Sequence, residues 1–383
     1  MTRRRPSAGT PPPIDPTRVR TVPLARRPSK VAAASLGTPV RAGLSVRRFL
    51  DGLPDILAAR DLRDAATRVA AAIRARRPVV LGMGAHAIKV GLGPAIVDLV
   101  ERGRLAAVAM NGAGLVHDFE MAWGGRTSED VGPGLDRGLF GMARETGEFV
   151  NRATREGVAA GLGLGLAVGD AIEAARLPHR RTSILAAAAR SGVPVTVHVA
   201  VGTDIVHMHP DADGAAIGEG SMRDFRQHHR RAQVQVDAAL EASDHCGELS
   251  EIAHAALADR GAVGVGMHVD DVGADGAAIG EGSMRDFRQL AAVVGCLERG
   301  VYLNLGSAVV LPEVFVKALN LARNLGHRVR HLTTIDMDFQ RHYRPAVNVI
   351  ARPTAMGGRG IQLTGHHEIM FPLLWAAVEE ALR

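Results

Sequence analysis

The stretch PVVLGMGAHAIKVGLGPAIVDLVERGRLAAVAMNGAGLVHDFEMAWGGRTSEDV, residues 78–131, decides the fold. It opens with a β-branched apolar run that meets Gly82 and Gly84, and a second apolar run ends in the small-residue turn 111–114. Between the two runs, apolar residues recur at helical spacing, at Leu92, Ile96, Leu99 and Val100. The order of strand, glycine turn, helix and strand predicts one βαβ unit with parallel strands.

The two turns of this unit indicate a ligand. Residues 82–87 have the G-x-G-x-x-A form of a dinucleotide-binding turn, in which missing Cβ atoms let backbone N–H groups approach a pyrophosphate. Glycine turns between a strand and a helix also occur for purely geometric reasons. The second turn is followed by His117 and Asp118. Because open α/β sheets bind ligands at the carboxyl ends of parallel strands, the pair of turns favours a dinucleotide site.

Charge is distributed unevenly along the 383 residues. Residues 1–48 carry a net charge of +10 against +6 for the whole chain, which leaves −4 for the remainder. We therefore expect residues 1–44 to form a disordered basic tail, with a targeting segment as the alternative, and we expect no nucleic-acid or membrane partner. The two cysteines, Cys246 and Cys296, offer neither a disulfide framework nor zinc spacing, so a cytoplasmic protein without a metal is expected.

An internal duplication interrupts the chain. Residues 213–227 and 275–289 are the same fifteen letters, DGAAIGEGSMRDFRQ. Read in reverse through complementary codons, neighbouring residues reproduce the intervening segment; residues 301–304, for example, give 234–237. We infer that residues 228–274 translate the antisense strand of adjacent DNA. The duplication thus adds 62 residues, about 213–274 or 228–289, through an inversion or an assembly artefact.

The rest of the chain alternates apolar strands with amphipathic helices. Strands are expected at 193–202, 301–305, 331–335 and 346–351, and helices at 49–77, 312–325 and 371–382. This alternation predicts an α/β fold with a Rossmann-like, mostly parallel sheet that carries helices on both faces.

The 78–131 stretch, DGAAIGEGSMRDFR at 275–288 and GHHEIMFPLL at 365–374 resemble the deoxyhypusine synthase family, in its bacterial synthase-like branch. The resemblance covers most of residues 45–383, expected to be one NAD-binding domain around the insert. It implies a homotetramer of Rossmann-like subunits that oxidises spermidine with NAD and passes the aminobutyl group to a lysine of a translation factor or to another amine. By position it implies NAD contacts from Gly82, Gly84, His86, Asn111, Gly112, Ala113, Gly114, Asp118, Gly306, Ser307 and Thr334.

Two departures from the family fall on the transfer step. The family's imine-forming lysine is matched here by Gln362, and its catalytic histidine by Pro312 with Glu313 beside it. Of the chain's three lysines, Lys89 beside the first glycine turn is the candidate imine carrier, because a desolvated lysine can be neutral at physiological pH. The alternative is that Lys89 neutralises a cofactor phosphate or pairs with Asp118 or Glu120.

The remaining candidates are polar clusters. His117, His366, His367 and Glu368 are predicted to act in acid/base catalysis, because the pKa of histidine suits proton transfer from an amine. The histidines, including His207 and His209, have alternatives as metal ligands or as hydrogen-bonded structural residues. Carboxylates suited to a cationic substrate are Asp204, Asp336 and Glu313.

These features predict an NAD-dependent enzyme that oxidises a polyamine-type amine and transfers an aminoalkyl group to a second amine. A non-catalytic NAD-binding homologue and a metal-dependent hydrolase are the alternatives.

Overall fold

The computed structural model describes residues 15–131, 139–160, 162–199 and 291–383. Its centre is one sheet of six parallel strands in the order β3-β2-β1-β4-β5-β6. The strands are Val79–Met83 (β1), Ala107–Asn111 (β2), Val195–His198 (β3), Val301–Leu305 (β4), Thr333–Asp338 (β5) and Arg359–Thr364 (β6). The chain winds outward from the centre in both directions, so the strand order reverses between β1 and β4. In such sheets that switch point is where a ligand crevice opens.

Helices connect the strands and flank them. The α-helices are Val46–Gly52 (α1), Leu57–Arg74 (α2), His86–Lys89 (α3), Gly93–Glu101 (α4), Gly112–Gly124 (α5), Arg144–Ala159 (α6), Leu164–Ala174 (α7), Ile184–Ser191 (α8), Val310–Asn324 (α9) and His367–Leu382 (α10). Between β5 and β6 a further helical segment runs over 343–354, and its centre, Ala346–Ala351, is π-helical.

Each face of the sheet carries its own apolar layer. Val79, Leu81 and Met83 of β1 belong to the larger layer with α2 and α10, whereas Val80 belongs to the smaller layer with α9. This alternation along a buried parallel strand requires helices on both faces. The predicted α/β, Rossmann-like fold is therefore confirmed.

Toward the carboxyl-terminal end of the chain, one predicted strand is wrong and one strand was not predicted. The β-branched run Ala346–Ala351, expected to be a strand, is helical, with Pro345 before it and Pro353 after it. The sixth strand is instead Arg359–Thr364, an edge strand whose exposed and buried residues alternate and whose polar letters hide it in the sequence. In addition, β5 begins later and extends further than expected, so that Asp336 and Asp338 lie within it.

Several predictions concern residues outside the described ranges. Both repeat copies, the intervening segment, Cys246, Asp204, His207, His209 and the first fourteen residues of the tail lie there. Within the described part of the tail, Leu24–Arg26 and Ala33–Ser35 form short 3-10 turns without buried residues. No helix among the described residues is long and apolar enough to span a membrane.

Candidate functional site

Two glycine turns meet at the switch point. A Cβ atom on Gly84, just after β1, would lie 2.3 Å from the carbonyl oxygen of Gly306, just after β4. Gly306 has a φ of +61°, a backbone conformation that favours glycine, and a Cβ there would lie 3.0 Å from Cε1 of His367. Glycine at both positions thus brings the ends of β1 and β4 and the start of α10 into contact.

His367 lies beneath two other rings at this edge. Its side chain is 1% exposed, and its ring centroid lies 5.2 Å from that of His86 and 5.9 Å from that of Phe339. Both ring nitrogens are buried, and neither makes a hydrogen bond of normal geometry within the described residues. A buried polar atom without a partner is costly, so the position of His367 needs an explanation.

The buried carboxylate of Asp338 faces two histidines. Its Oδ1 accepts the backbone N–H of Phe339 at 2.7 Å and lies 3.7 Å from Nε2 of His367, and its Oδ2 lies 4.0 Å from Nε2 of His342. Burial lowers the pKa of His367, although the Asp338 carboxylate acts in the opposite direction. We call His86, Asp338, Phe339, His342 and His367 the His367 cluster; its histidine at the start of α10 is neutral near pH 7.

A second buried carboxylate, Asp336, lies in a polar row that crosses three strands. Its oxygens accept the side-chain amides of Asn304 on β4 at 2.8 Å and of Gln362 on β6 at 3.2 Å. Burial raises the pKa of Asp336 to about 6, while the two amide donors act in the opposite direction. Gln362, the residue matched to the family's lysine, is thus a hydrogen-bond donor to a carboxylate.

His117 belongs to a separate hydrogen-bonded group on α5. Its Nδ1 lies 2.6 Å from Oγ1 of Thr127, and the Thr127 hydroxyl donates to Oε2 of Glu120. Thr146, on α6, donates to the other oxygen of Glu120 at 3.2 Å. Within the described residues, no hydrogen bond or ion pair joins this group to the His367 cluster.

Asp118 is a buried carboxylate that caps the start of α8. It is 1% exposed and accepts the Ser183 hydroxyl at 2.5 Å and the backbone N–H groups of Ile184 and Leu185 at 2.8 and 3.1 Å. The carboxylate therefore satisfies the orphan donors at the start of α8. Burial raises its pKa to about 6 against these three hydrogen bonds. These contacts match the role of a helix cap and give no support to the predicted contact with NAD.

Other predicted cofactor residues are likewise explained by packing. Gly82 lies within β1, where a Cβ would come 2.2 Å from the Tyr302 hydroxyl, and Thr334 is fully buried within β5. The N–H groups of Gly84 and Gly306 donate to the carbonyls of Leu305 and Met337. The backbone donors of Gly84 and Gly306 are therefore occupied, and the Thr334 hydroxyl, which has no partner among the described residues, is buried away from the surface.

The start of α5 fits an anionic group better. The Asn111 side chain caps the helix by accepting the N–H of Gly114 at 3.0 Å, and the N–H groups of Gly112 and Ala113 in the first turn have no partner within the helix. The dinucleotide fingerprint usually places an acidic residue for the ribose at the end of the second strand, and here that position is Asn111. Of the predicted set, the turn after β2 therefore has the backbone donors that an anionic group of NAD would need, whereas the Ser307 hydroxyl already accepts the N–H of Leu311 at 3.2 Å.

Three further predicted residues are exposed. His366 is the residue before α10, with Nδ1 4.0 Å from Oε1 of Glu368, and both side chains are exposed. Lys89 is exposed on α3 and forms no ion pair within the described residues, so it is neither desolvated nor paired with Asp118 or Glu120. An imine-forming role that depends on burial has no support in this position.

Glu313 is already neutralised. Its carboxylate accepts Nζ of Lys317 at 2.8 Å and the Asn348 amide at 2.9 Å, and Arg344 lies 3.3 Å away. A carboxylate with two cationic partners has little charge left for a cationic substrate. The structure therefore favours an ion-pair role for Glu313 on α9.

The sequence analysis missed Asp338, Phe339 and His342. A signal was present, because Asp338 follows Asp336 at the two-residue spacing of a strand, and His342 comes four residues later. The metal alternative gains nothing here, since no group of three His, Cys, Asp or Glu side chains among the described residues has the geometry to hold a metal ion.

No protein-family model and no curated protein matches this chain. It is similar in structure to a conserved candidate LOR/SDH protein from Methanococcus maripaludis (13% identity, 92% of this chain and 75% of the other, TM-score 0.45). It is also similar to AgrE in complex with ornithine and NAD+ (12%, 85% and 34%, TM-score 0.46) and to a candidate deoxyhypusine synthase from Entamoeba histolytica (10%, 91% and 97%, TM-score 0.42). The chain thus spans about a third of the length of AgrE.

Proposed function

We propose that this chain binds NAD at the switch point of its sheet and oxidises a small cationic amine there, with His367 as the proton acceptor. One observation carries the proposal: a buried histidine whose ring nitrogens make no hydrogen bond of normal geometry among the described residues lies 3.7 Å from a buried carboxylate, at the carboxyl ends of the strands where two glycine turns meet. A neutral imidazole oriented by a carboxylate is a suitable general base.

Oxidation of an amine to an imine removes a hydride from carbon and a proton from nitrogen. NAD, when bound, accepts the hydride. The proton passes to His367, whose burial keeps the imidazole neutral and ready to accept it near pH 7. Asp338 then stabilises the imidazolium that forms. His86 and Phe339 cover the ring of His367, so they exclude water and must yield to the substrate.

Charge at the site supports a cationic substrate of the polyamine or guanidine class. Asp336 and Asp338 are buried, and neither pairs with a lysine or arginine among the described residues. Two uncompensated carboxylates in a low-dielectric environment attract a cation that hydrogen bonds to them. The subsequent transfer of an aminoalkyl group to a second amine belongs to this proposal, as do the homotetramer and the cytoplasmic location.

Gln362 stands at the position matched to the family's imine-forming lysine, so the transfer step needs another route. Lys89, Lys317 and Lys30 are all exposed, and Lys317 is paired with Glu313. We therefore expect the oxidised product to react directly with the second amine rather than through an imine on the protein. This expectation predicts that Lys89→Arg retains turnover.

The test uses the full chain with NAD and a panel of polyamines and guanidines. NAD binding is measured by calorimetry, NADH by absorbance, and products by mass spectrometry. We expect His367→Gln to bind NAD within about threefold of the wild type and to lose NADH formation by at least about 100-fold, the usual contribution of a general base.

His331→Gln is the matched control. His331 precedes β5 at the amino-terminal end of the strands, away from the site, and its Nδ1 pairs with Glu298 at 2.6 Å. NAD binding and NADH formation should therefore both be unchanged in this variant. Retained turnover in His367→Gln would remove His367 from the mechanism. A folded wild type that binds NAD but produces no NADH would favour the non-catalytic homologue.

A further inference from the structure

We propose that Thr127, Glu120 and Thr146 position His117 as a second proton acceptor, with its proton fixed on Nδ1 and its basic nitrogen at Nε2. The reaction that His117 would serve, deprotonation of the second amine, rests on the proposed function. The tautomer itself rests only on the hydrogen bonds of this group, and it can be measured without turnover.

The charge of Glu120 determines which groups around it donate hydrogen bonds. Burial acts to raise the pKa of Glu120, but the neighbouring His117 ring and the Thr127 hydroxyl hold it below that of an ordinary glutamate. Glu120 is therefore an ionised carboxylate at neutral pH, and an ionised carboxylate only accepts hydrogen bonds. The hydroxyls of Thr127 and Thr146 must both donate to it, one to each oxygen.

The Thr127 hydroxyl has a single proton and can donate only one hydrogen bond. Because the Thr127 proton points to Glu120, its oxygen can only accept in its other contact, which is with Nδ1 of His117 at 2.6 Å. Nδ1 of His117 must then carry the proton. The chain of donors runs from His117 through Thr127 to Glu120, and Thr146 fixes the far oxygen of the carboxylate.

The other ring nitrogen of His117, Nε2, is the basic one. In a neutral imidazole with Nδ1 protonated, Nε2 holds the lone pair, and Nε2 of His117 makes no hydrogen bond within the described residues. The His117 side chain is 15% exposed, so the ring is partly accessible. When Nε2 accepts a proton, Glu120 stabilises the resulting imidazolium through Thr127, its Oε2 lying 3.7 Å from Nδ1.

The position of α5 connects this device with the proposed reaction. The helix begins at Gly112, directly after β2, so His117 lies in the second turn of an element that starts at the ligand-binding edge of the sheet. Transfer needs a second base, because an accepting ammonium must lose a proton before its nitrogen lone pair can attack the oxidised donor. That proton moves to Nε2 of His117, and the freed lone pair attacks the carbon of the oxidised donor's C=N bond to form the new carbon–nitrogen bond. The bond between that carbon and the donor nitrogen then breaks, the donor amine leaves with the proton that His117 held, and the transferred carbon remains as an imine of the second amine.

The test is nitrogen-15 NMR of histidine-labelled full-length protein, with the His117 signals assigned through His117→Gln. We expect Nδ1 to be the protonated nitrogen in the neutral wild type. Thr127→Ser keeps the hydroxyl and should keep this tautomer, whereas Thr127→Val removes it and should shift the population toward protonation at Nε2. Thr354→Val removes a partly buried hydroxyl that donates to the Ile350 carbonyl far from His117, and should change nothing.

Two results would overturn the proposal: an Nε2-protonated His117 in the wild type, or a tautomer that Thr127→Val leaves unchanged. If the wild type also forms NADH and a transfer product, Thr127→Val should reduce transfer at least tenfold more than it reduces NADH formation, and Thr127→Ser should restore it. An absence of NADH counts against the proposed function alone, because the NMR result decides the tautomer.

Discussion

Asp336 is a buried carboxylate whose only hydrogen-bond donors among the described side chains are neutral amides, from Asn304 and Gln362. Its pKa, raised by burial to about 6, exceeds the value of 3.8 expected in an unfolded chain. Between these two values the folded protein binds more protons than the unfolded protein. The contribution of Asp336 to stability is therefore fully present below pH 3.8 and is lost as the pH rises through about 6.

Asp336→Asn should remove this dependence, because an amide does not titrate. Between pH 4 and pH 7 the free energy of unfolding of the variant should increase relative to that of the wild type by up to about 3 kcal/mol, because only the wild type loses stability over this range and each unit of pKa difference corresponds to about 1.4 kcal/mol. Urea unfolding at several pH values measures it. His198, whose pKa burial lowers to about 4, has the opposite effect but cancels in the comparison.

Asp98→Asn is the control for that comparison, because Asp98 is an exposed carboxylate paired with Arg102. Its difference from the wild type should stay within about 0.5 kcal/mol at every pH. A pH-independent difference for Asp336→Asn would show that Asp336 titrates normally in the folded state.

Sequence spacing predicted which strand ends carry the glycine turns, but it did not reveal which residues these turns pack against. It placed a site at the turns after β1, β2 and β4, where the structure brings Gly84, Gly306 and His367 together. It also assigned NAD contacts to Gly82 and Asp118, although Gly82 leaves room for a tyrosine and Asp118 caps α8. Those tasks depend on partners 220 and 66 residues away, which local spacing does not reveal.

At the scale of elements, the packing of β1 against β4 depends on one missing methyl group. The Tyr302 ring stacks on Phe315 of α9 with centroids 3.7 Å apart, and its fully buried hydroxyl meets Gly82. That hydroxyl has no hydrogen-bond partner among the described residues. The tyrosine is therefore held between a strand and a helix, with no space toward β1.

Gly82→Ala should destabilise the protein by about 3 kcal/mol, since the added Cβ overlaps the Tyr302 hydroxyl and a packed core has no room to relax. Tyr302→Phe alone should be close to neutral, because it removes a hydroxyl without a partner. In the double variant the alanine should cost at least about 1 kcal/mol less than it does alone. Chemical unfolding of the four proteins measures this coupling.

Gly124→Ala is the matched control, because a Cβ at Gly124 would meet only Arg126, at 3.8 Å. It should leave stability nearly unchanged. Strictly additive effects of the Gly82 and Tyr302 changes would show that the glycine serves something other than the tyrosine. Loss of NAD binding in the stable double variant would return Gly82 to the cofactor site.

The fold of these elements followed from the sequence where hydrophobic period and turn chemistry agreed. The βαβ unit and β4 show both signals, and both form as expected. The run Ala346–Ala351 has only β-branched composition, and its tertiary contacts decide otherwise: Asn348 within it donates to Glu313 of α9 and accepts from Arg352. A local propensity that competes with such contacts is a weak guide.

At the scale of the whole molecule, the described residues by themselves form a six-stranded parallel sheet with an apolar layer on each face. In the full chain 102 residues separate His198 at the end of β3 from Val301 at the start of β4. A crossover between parallel strands needs only a dozen or so residues, so most of this connection is not required to close the fold.

We therefore expect a variant without residues 228–289 to fold as the full chain does. Because the fifteen-residue repeat is identical in both copies, deletion of 213–274 or of 228–289 gives the same 321-residue protein, with 40 residues left between β3 and β4. Its far-UV circular dichroism should retain the helical signal of α1–α10, its thermal unfolding should remain cooperative, and its affinity for NAD should match that of the full chain. Light scattering of both proteins tests the homotetramer, since an inserted segment at a subunit contact would lower the mass of the full chain alone. A shortened protein that is insoluble or unfolds without a cooperative transition would show that the duplicated segment has become part of the fold.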